Sequence, residues 1–435
     1  MAFTQDFAIG RTQRLVATLE TTIGAGTYGT VVQPILTGTS GELAIRSAGA
    51  DYKQERKNRN DRRATRSLVE RITGKKTTSW SAECYCYTLP NVGTPTFAPV
   101  VKGVHSLWRA VFGAHVGTSG ADGTRNVAYT LNDTQNGLDS LDLNILEGFE
   151  TGQFGVSMET VIGAWVDEWK LSVSGGEEAI QTFSGGGKNT IYTGTTTTTQ
   201  SRAGSETTVT VTDPEVFEVG SLFAIGTSAG TTSGDPAQGD GHVLVSKTGS
   251  TLTFTPAIVG AQASGVNVVP YIRTSNTAAT DTYPFGKPAQ VAIAGITGRL
   301  DIGSDTLVPI TAFEITVKNG IKAVDQEAFR DTPRDFIPGM REVTGTITIL
   351  LTRTQAKRLG QRRDSFATKT LTLYVGGTAL DTTPTGTNRF VVTIPRAEIE
   401  FSAVESPEAE EATFTLPFVA LATAAGANEF TFTVY

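Results

Sequence analysis

The chain has 435 residues, with 36 Lys and Arg against 43 Asp and Glu and a formal net charge of -7. That length holds more than one domain and a sizeable core, and so mild a charge excludes a surface built as a whole to hold polyanions. Abundant Gly and Thr, 8% aromatic residues, three His and two Cys suit β-structure with many turns.

The opening MAFTQDFAIGRTQR shows no basic-then-apolar signal, and no apolar run approaches membrane-spanning length. The expectation is a soluble protein made in a cytosol, without a membrane partner. Residues 1–76 read as an N-terminal arm followed by a basic segment. In the arm, TLETTIGAGTYGTVVQPILTGTSGELAI mixes short β-prone runs with Gly, Pro and Thr and offers little to bury itself, so it lies on something else. From 46 to 76, eleven Lys or Arg stand against Asp51, Glu55, Asp61 and Glu70. A phosphate-binding patch, a solvated helix or loop and a contact between subunits all fit such a run. Aromatic residues for base stacking are nearly absent there, which favours the subunit contact, with Arg56, Arg59, Arg62 and Arg63 as its candidates.

Residues 77–187 open a main domain. Alternation predicts a strand over 77–91, with Cys84 and Cys86 on one face as buried small hydrophobes, badly spaced for a disulfide. In GVHSLWRAVFGAHVG, Val104, Leu107, Trp108, Val111 and Phe112 recur at helical spacing, and Gly113 ends the helix. His105 and His115 flank it without an acidic or Cys cluster and read as structural. NVAYTLND, SLDLNILEGF, FGVSMETVIGAWVDEW and WKLSVSGGEEAIQTFSG read as four successive strands of an antiparallel meander. SGGGKNT misses the phosphate-loop pattern at two positions and reads as a flexible turn.

Composition shifts near Lys188. TGTTTTTQSRAGSETTVTV reads as a linker, and the short strands after it predict an inserted all-β domain over 188–276. Its loop TSAGTTSGDPAQGDGH is too irregular for a calcium loop. Residues 277–435 return to the main domain. There Phe313, Ile315 and Val317 alternate with Glu314, Thr316 and Lys318, and a second β-branched run closes at Leu351. Between the runs lies a polar loop with Asn319-Gly320, Pro333, Pro338 and Gly339, and long loops of this kind are functional or ordered by a partner. Thr352-Arg353-Thr354-Gln355 has capping-box form and predicts a short basic helix. Glu405, Glu408, Glu410 and Glu411 cluster between the last strands and read as a solvated turn.

Three stretches together resemble the tail tube proteins of long, flexible-tailed bacteriophages. They are VHSLWRAVFGAHVG with VAYTLND and SLDLNILEGFE, then GQFGVSMETVIGAWVDEWKLSVSGGEEAIQTFSGGGK, then ITAFEITVKNGIKAVDQEAFRDTPRDFIPGMREVTGTITILLT. The resemblance is one of pattern and order over most of 77–187 and 283–435, and the module at 188–276, outside the family's minimal unit, resembles the immunoglobulin-like or small β-barrel decorations of tail proteins. It implies a β-sandwich flanked by a helix, subunits closing into hexameric rings around a continuous barrel, and rings stacking into a tube that conducts DNA from capsid to host. It also implies a place in the virion tail after assembly in the host cytoplasm. The partners implied are further copies of the chain, the tape measure, the tail terminator and the distal tail proteins, with DNA passing the lumen without specific binding.

Ring closure removes sheet edges that would otherwise pair at random. On this reading the loop at 319–341 is an assembly contact, with Asn319, Arg330, Arg334, Asp335 and Arg341 as its polar candidates. The basic segment would pair with acidic loops such as 405–411 or Asp325 to Glu327. The competing reading is another β-rich virion protein, a fibre, baseplate hub or decoration protein. No metal-ligand set and no acid pair with a supporting base are present, so neither catalysis nor a cofactor is expected.

Overall fold

The computed structural model describes residues 13–20, 42–43, 45–58, 71–88, 102–119, 125–132, 137–147, 157–225, 241–258, 260–271, 291–293, 298–308, 310–350, 368–377, 389–400, 404–405, 412–423 and 428–435. The protein is mainly β, with one α-helix among the described residues.

The first elements are β1 (Arg14–Leu19), β2 (Glu42–Leu43), β3 (Ile45–Asn58), β4 (Arg71–Tyr85), β5 (Tyr87–Thr88) and α1 (Lys102–Phe112). Next come β6 (Gly113–Ser119), β7 (Arg125–Leu131), β8 (Leu141–Glu147), β9 (Ser157–Ser174), β10 (Ile180–Gly187) and β11 (Asn189–Gly194). A separate group follows with β12 (Thr196–Thr197), β13 (Thr208–Thr210), β14 (Leu222–Ile225), β15 (His242–Thr248), β16 (Thr251–Thr255) and β17 (Asn267–Pro270). The chain then forms β18 (Val291–Ala292), β19 (Gly298–Ile302), β20 (Asp305–Val308), β21 (Ile310–Lys318), β22 (Lys322–Val324), β23 (Asp335–Ile337) and β24 (Glu342–Leu350). It ends with β25 (Lys369–Gly376), β26 (Arg389–Ile399), β27 (Val404–Glu405), β28 (Thr413–Ala420) and β29 (Thr431–Val434).

One layer of the main body runs β3-β4-β10-β9-β21-β24-β28, antiparallel throughout. The other runs β20-β19-β25-β26-β29-β7-β6. Strand β26 joins them, because Phe390 to Thr393 pair with β29 while Ala397 to Ile399 pair with β28. The inner faces meet through aromatic rings: Trp169 of β9 lies 5.5 Å from Phe432 of β29, and Phe112 of α1 lies 5.2 Å from Trp169. Gln181 is fully buried between Trp108 and Trp169 and accepts a hydrogen bond from each indole, at 2.9 and 3.3 Å. A buried amide satisfied in this way fixes both rings at once.

Several expectations hold. Val104, Leu107, Trp108, Val111 and Phe112 are all buried on α1, and Gly113 ends the helix at φ +82, where a Cβ would sit 2.4 Å from the Gly137 carbonyl. Cys84 and Cys86 are free and buried, and burial pushes the Cys84 thiol up to about 12. The two runs around segment 319–341 pair with each other as β21 and β24.

Other expectations are corrected. The arm is anchored at β1, which pairs along its whole length with β8 and buries Leu15, Val16, Ala17 and Leu19. The basic segment is neither helix nor loop where described, but two strands of one hairpin, β3 and β4. The two expected strands around Trp169 are one strand of 18 residues. Strand β9 pairs with β8 up to Ala164 and with β21 from Glu168 onwards, and Gly163 at φ +60 lets it turn between the two without ending. SGGGKNT is no flexible turn: Gly185 and Gly186 lie in β10, where a Cβ would meet the Trp165 carbonyl at 1.9 Å and the Trp165 ring at 2.4 Å. The Thr-rich linker is ordered too, since Thr193, Thr196 and Thr198 are buried on strands and bridges.

The separate group of strands forms a six-stranded sheet in the order β12-β17-β14-β15-β16-β13. The bridge Thr198↔Val211, with bonds from Thr199 N to Thr210 O and Thr212 N to Thr197 O, closes its ends into a small barrel. Its core, with Phe217, Phe223, Leu252, Phe254 and Val268, is separate from that of the main body. The expected basic helix at 352–364, the loop at 226–240 and residues 406–411 of the acidic cluster lie outside the described residues.

Candidate assembly surface

Segment 319–341 leaves the main body at the junction of β21 and β24. Asn319 sits at its root and is buried. Its Nδ2 donates to the Val111 carbonyl at 3.0 Å and the Val166 carbonyl at 3.3 Å, while its own carbonyl accepts from Gly339 N. Beside it, Ile321 N donates to Asp167 Oδ1 at 2.6 Å. Arg341 closes the other side, donating to both carboxylate oxygens of Glu429 at 3.0 and 3.2 Å and to the Asn132 carbonyl at 3.0 Å. Asn319 and Arg341 are therefore internal latches, Asn319 buried and Arg341 largely covered. This corrects their expected role.

Beyond the latches, β22 and β23 pair as a short ribbon, so the segment is no structureless loop. Phe336 turns inwards, 5.7 Å from the Trp165 ring. Three other apolar side chains do the reverse: Phe329, beyond the ribbon, is fully exposed at 102%, while nearer the root Met340 is 92% exposed and Ile337 48%. Arg330 and Arg334 both reach Glu327, at 2.8 and 2.9 Å, and remain about half or more exposed. Asp335 is exposed and accepts from Phe336 N. Glu327 is thus already engaged by its own segment.

The hairpin β3–β4 stands beside this segment. Lys76 donates to Asp331 at 2.8 Å, and its backbone N donates to the Asp331 carbonyl at 2.7 Å. The hydrogen bond from Lys76 holds the Asp331 carboxyl below its ordinary range, and the same bond raises Lys76. Arg56 is exposed on β3 opposite Thr73, whereas Arg59, Arg62 and Arg63 lie outside the described residues. The outer edge of β3 is met at Ala48, whose N and O both bond the Gln13 side-chain amide at 2.9 Å. No other strand pairs along that edge among the described residues.

The outer face of the first layer has a different character. Ser172, Thr316, Thr344, Thr346, Thr348 and Thr415 share it, with Lys170 paired to Glu314 at 2.8 Å. His105 belongs to the interior instead: its Nδ1 lies 2.7 Å from the Tyr129 hydroxyl, and burial pushes it down to about 3, so it stays neutral. Sequence reasoning missed Phe329, Ile337 and Met340. The available signal was three large apolar residues inside a polar, proline-bearing stretch.

No family model matches the chain, and no curated protein matches it. Among the described residues no helix is long and apolar enough to cross a membrane.

Proposed function

We propose that the chain is a structural virion subunit that assembles with copies of itself as stacked rings into a phage tail tube. The observation that carries this reading is the uncovered apolar side chains of segment 319–341. Phe329 beyond the ribbon and Met340 beside the root are almost wholly in water, while the root itself is held by hydrogen bonds of Asn319 and Arg341. Rigidly mounted apolar side chains have the form of interface hot spots, and covering both would contribute about 3–6 kcal/mol. The open edge of β3 supports the reading as well, since an unpaired edge takes up a strand from a neighbour. In the tube, the hydroxyl-rich outer face of the first layer would line the lumen. Thr and Ser with a neutralised Lys–Glu pair hold no phosphate, so DNA would pass without sticking.

Electron microscopy of the purified chain tests this, with rings and hollow filaments of uniform width expected. The Phe329→Asp variant should remain folded, because the side chain packs on nothing in the monomer, and should lose filaments. Filaments of undiminished abundance from that variant would remove Phe329 from the assembly. A wild type that forms no rings would favour the competing reading of a fibre, hub or decoration protein.

A further inference from the structure

Beyond Thr78, which still faces Gly187 of β10, hairpin β3–β4 continues for seven residues of β4 as a two-stranded ribbon. Register and alternation put Arg56 and Arg71 on one face of it with Thr73 and Gln54, while Lys53 and Thr77 lie on the other. Lys53 is paired to Asp51, but Arg56, Arg71 and Lys75 make no ion pair among the described residues. The ribbon is braced at Lys76 by Asp331 and is otherwise largely exposed, and a ribbon of two strands is marginal by itself. Two independent observations, uncompensated charge and a largely exposed ribbon, therefore point to a missing partner.

The charge balance identifies that partner. With residues 46–76 set aside at 11 basic against 4 acidic, the rest of the chain keeps 25 basic against 39 acidic residues. Copies of this chain thus carry the complementary charge in excess. The exposed pair Glu177 and Glu178 occupies the β9–β10 turn, at the opposite end of the same strands. From Tyr85, level with that turn, to Arg71 is a rise of about 46 Å at ~3.3 Å per residue. Screening within about 10 Å stops the two ends from sensing each other inside one chain. Only a second molecule brings them together.

We propose that the cationic face of the hairpin docks on the acidic β9–β10 turn of a second copy, head to tail. The inference rests on the self-assembly reading and gives it a polarity, since head-to-tail contacts propagate into open stacks. Rim charges of this kind act chiefly on orientation and on-rate. The test follows self-association by sedimentation and light scattering at low and high salt. It compares wild type, Arg56→Glu with Arg71→Glu, Glu177→Lys with Glu178→Lys, and the combination of all four. Each pair should slow association ~10-fold at low salt, the fourfold variant should recover most of that rate, and circular dichroism should stay unchanged.

If wild type forms tubes and the charge variants form them equally fast, the docking idea fails while the tube reading stands. Loss in both pairs without recovery in the combination would also overturn it. A wild type that stays monomeric at low salt sinks both readings. In a parallel arm with a short DNA duplex, binding abolished by Arg56→Glu with Arg71→Glu while association is unchanged would make a polyanion the occupant instead.

Discussion

The inserted barrel and the main body solve the same problem in opposite ways. Both are antiparallel and both bury a Phe-rich core, yet among the described residues the barrel closes β12 onto β13. Among the same residues the main body leaves most of the outer edge of β3 unpaired and exposes Phe329 and Met340 on segment 319–341. A closed sheet presents no edge, whereas an open edge is a ready template for a partner strand. On the proposed reading the main body carries the assembly and the barrel rides on it, joined through the bridge Thr193↔Phe217 and the bond from Gly194 N to Val216 O.

The largest expected effect separates the two cores. Trp169→Ala should cost the main body about 3–5 kcal/mol, and Phe254→Ala should cost the barrel a similar amount. In calorimetry each variant should move a different transition, and only Trp169→Ala should suppress filaments below its melting point. Equal shifts of a single transition in both variants would break the comparison, because the two cores would then be one cooperative unit.

A middle-sized effect tests the latch. Asn319→Ala leaves the Val111 and Val166 carbonyls without the amide, and should destabilise the main body by about 1–3 kcal/mol without touching the barrel. Hydrogen exchange should show faster opening of 320–340 in that variant than in wild type. The smallest effect belongs to Lys76 and Asp331, which are partly exposed and worth about 0.5 kcal/mol. Asp331 is held low, so its share is present above a pH of about 3.9 and is lost as pH falls through the folded value. Lys76 is raised, so its share is present below about 10.4 and is lost as pH rises through the folded value. Asp331→Asn should flatten both limbs of the stability profile slightly, and an unchanged profile would show that the contact adds nothing.

Local patterns were legible wherever one face of an element meets the core. The alternation in β21 and the helical spacing around Trp108 report burial directly, as does the i, i+2 pair of cysteines. Polar residues were misread for the same reason. Asn319 and Arg341 look like surface groups in a sequence, and only the approach of Val111, Val166 and Glu429 from distant positions turns them inwards. Gly185 and Gly186 resembled a flexible turn because nothing nearby in sequence announces the Trp165 side chain and carbonyl lying against them.

The sequence by itself determined a β-rich chain and one amphipathic helix, since propensity and period act over a few residues. The tertiary structure alone decided that β9 runs unbroken between two partners, that the basic segment is a hairpin, and that Phe329 rather than Asn319 faces outwards. Those outcomes depend on pairings between residues far apart in the chain, which no local pattern encodes.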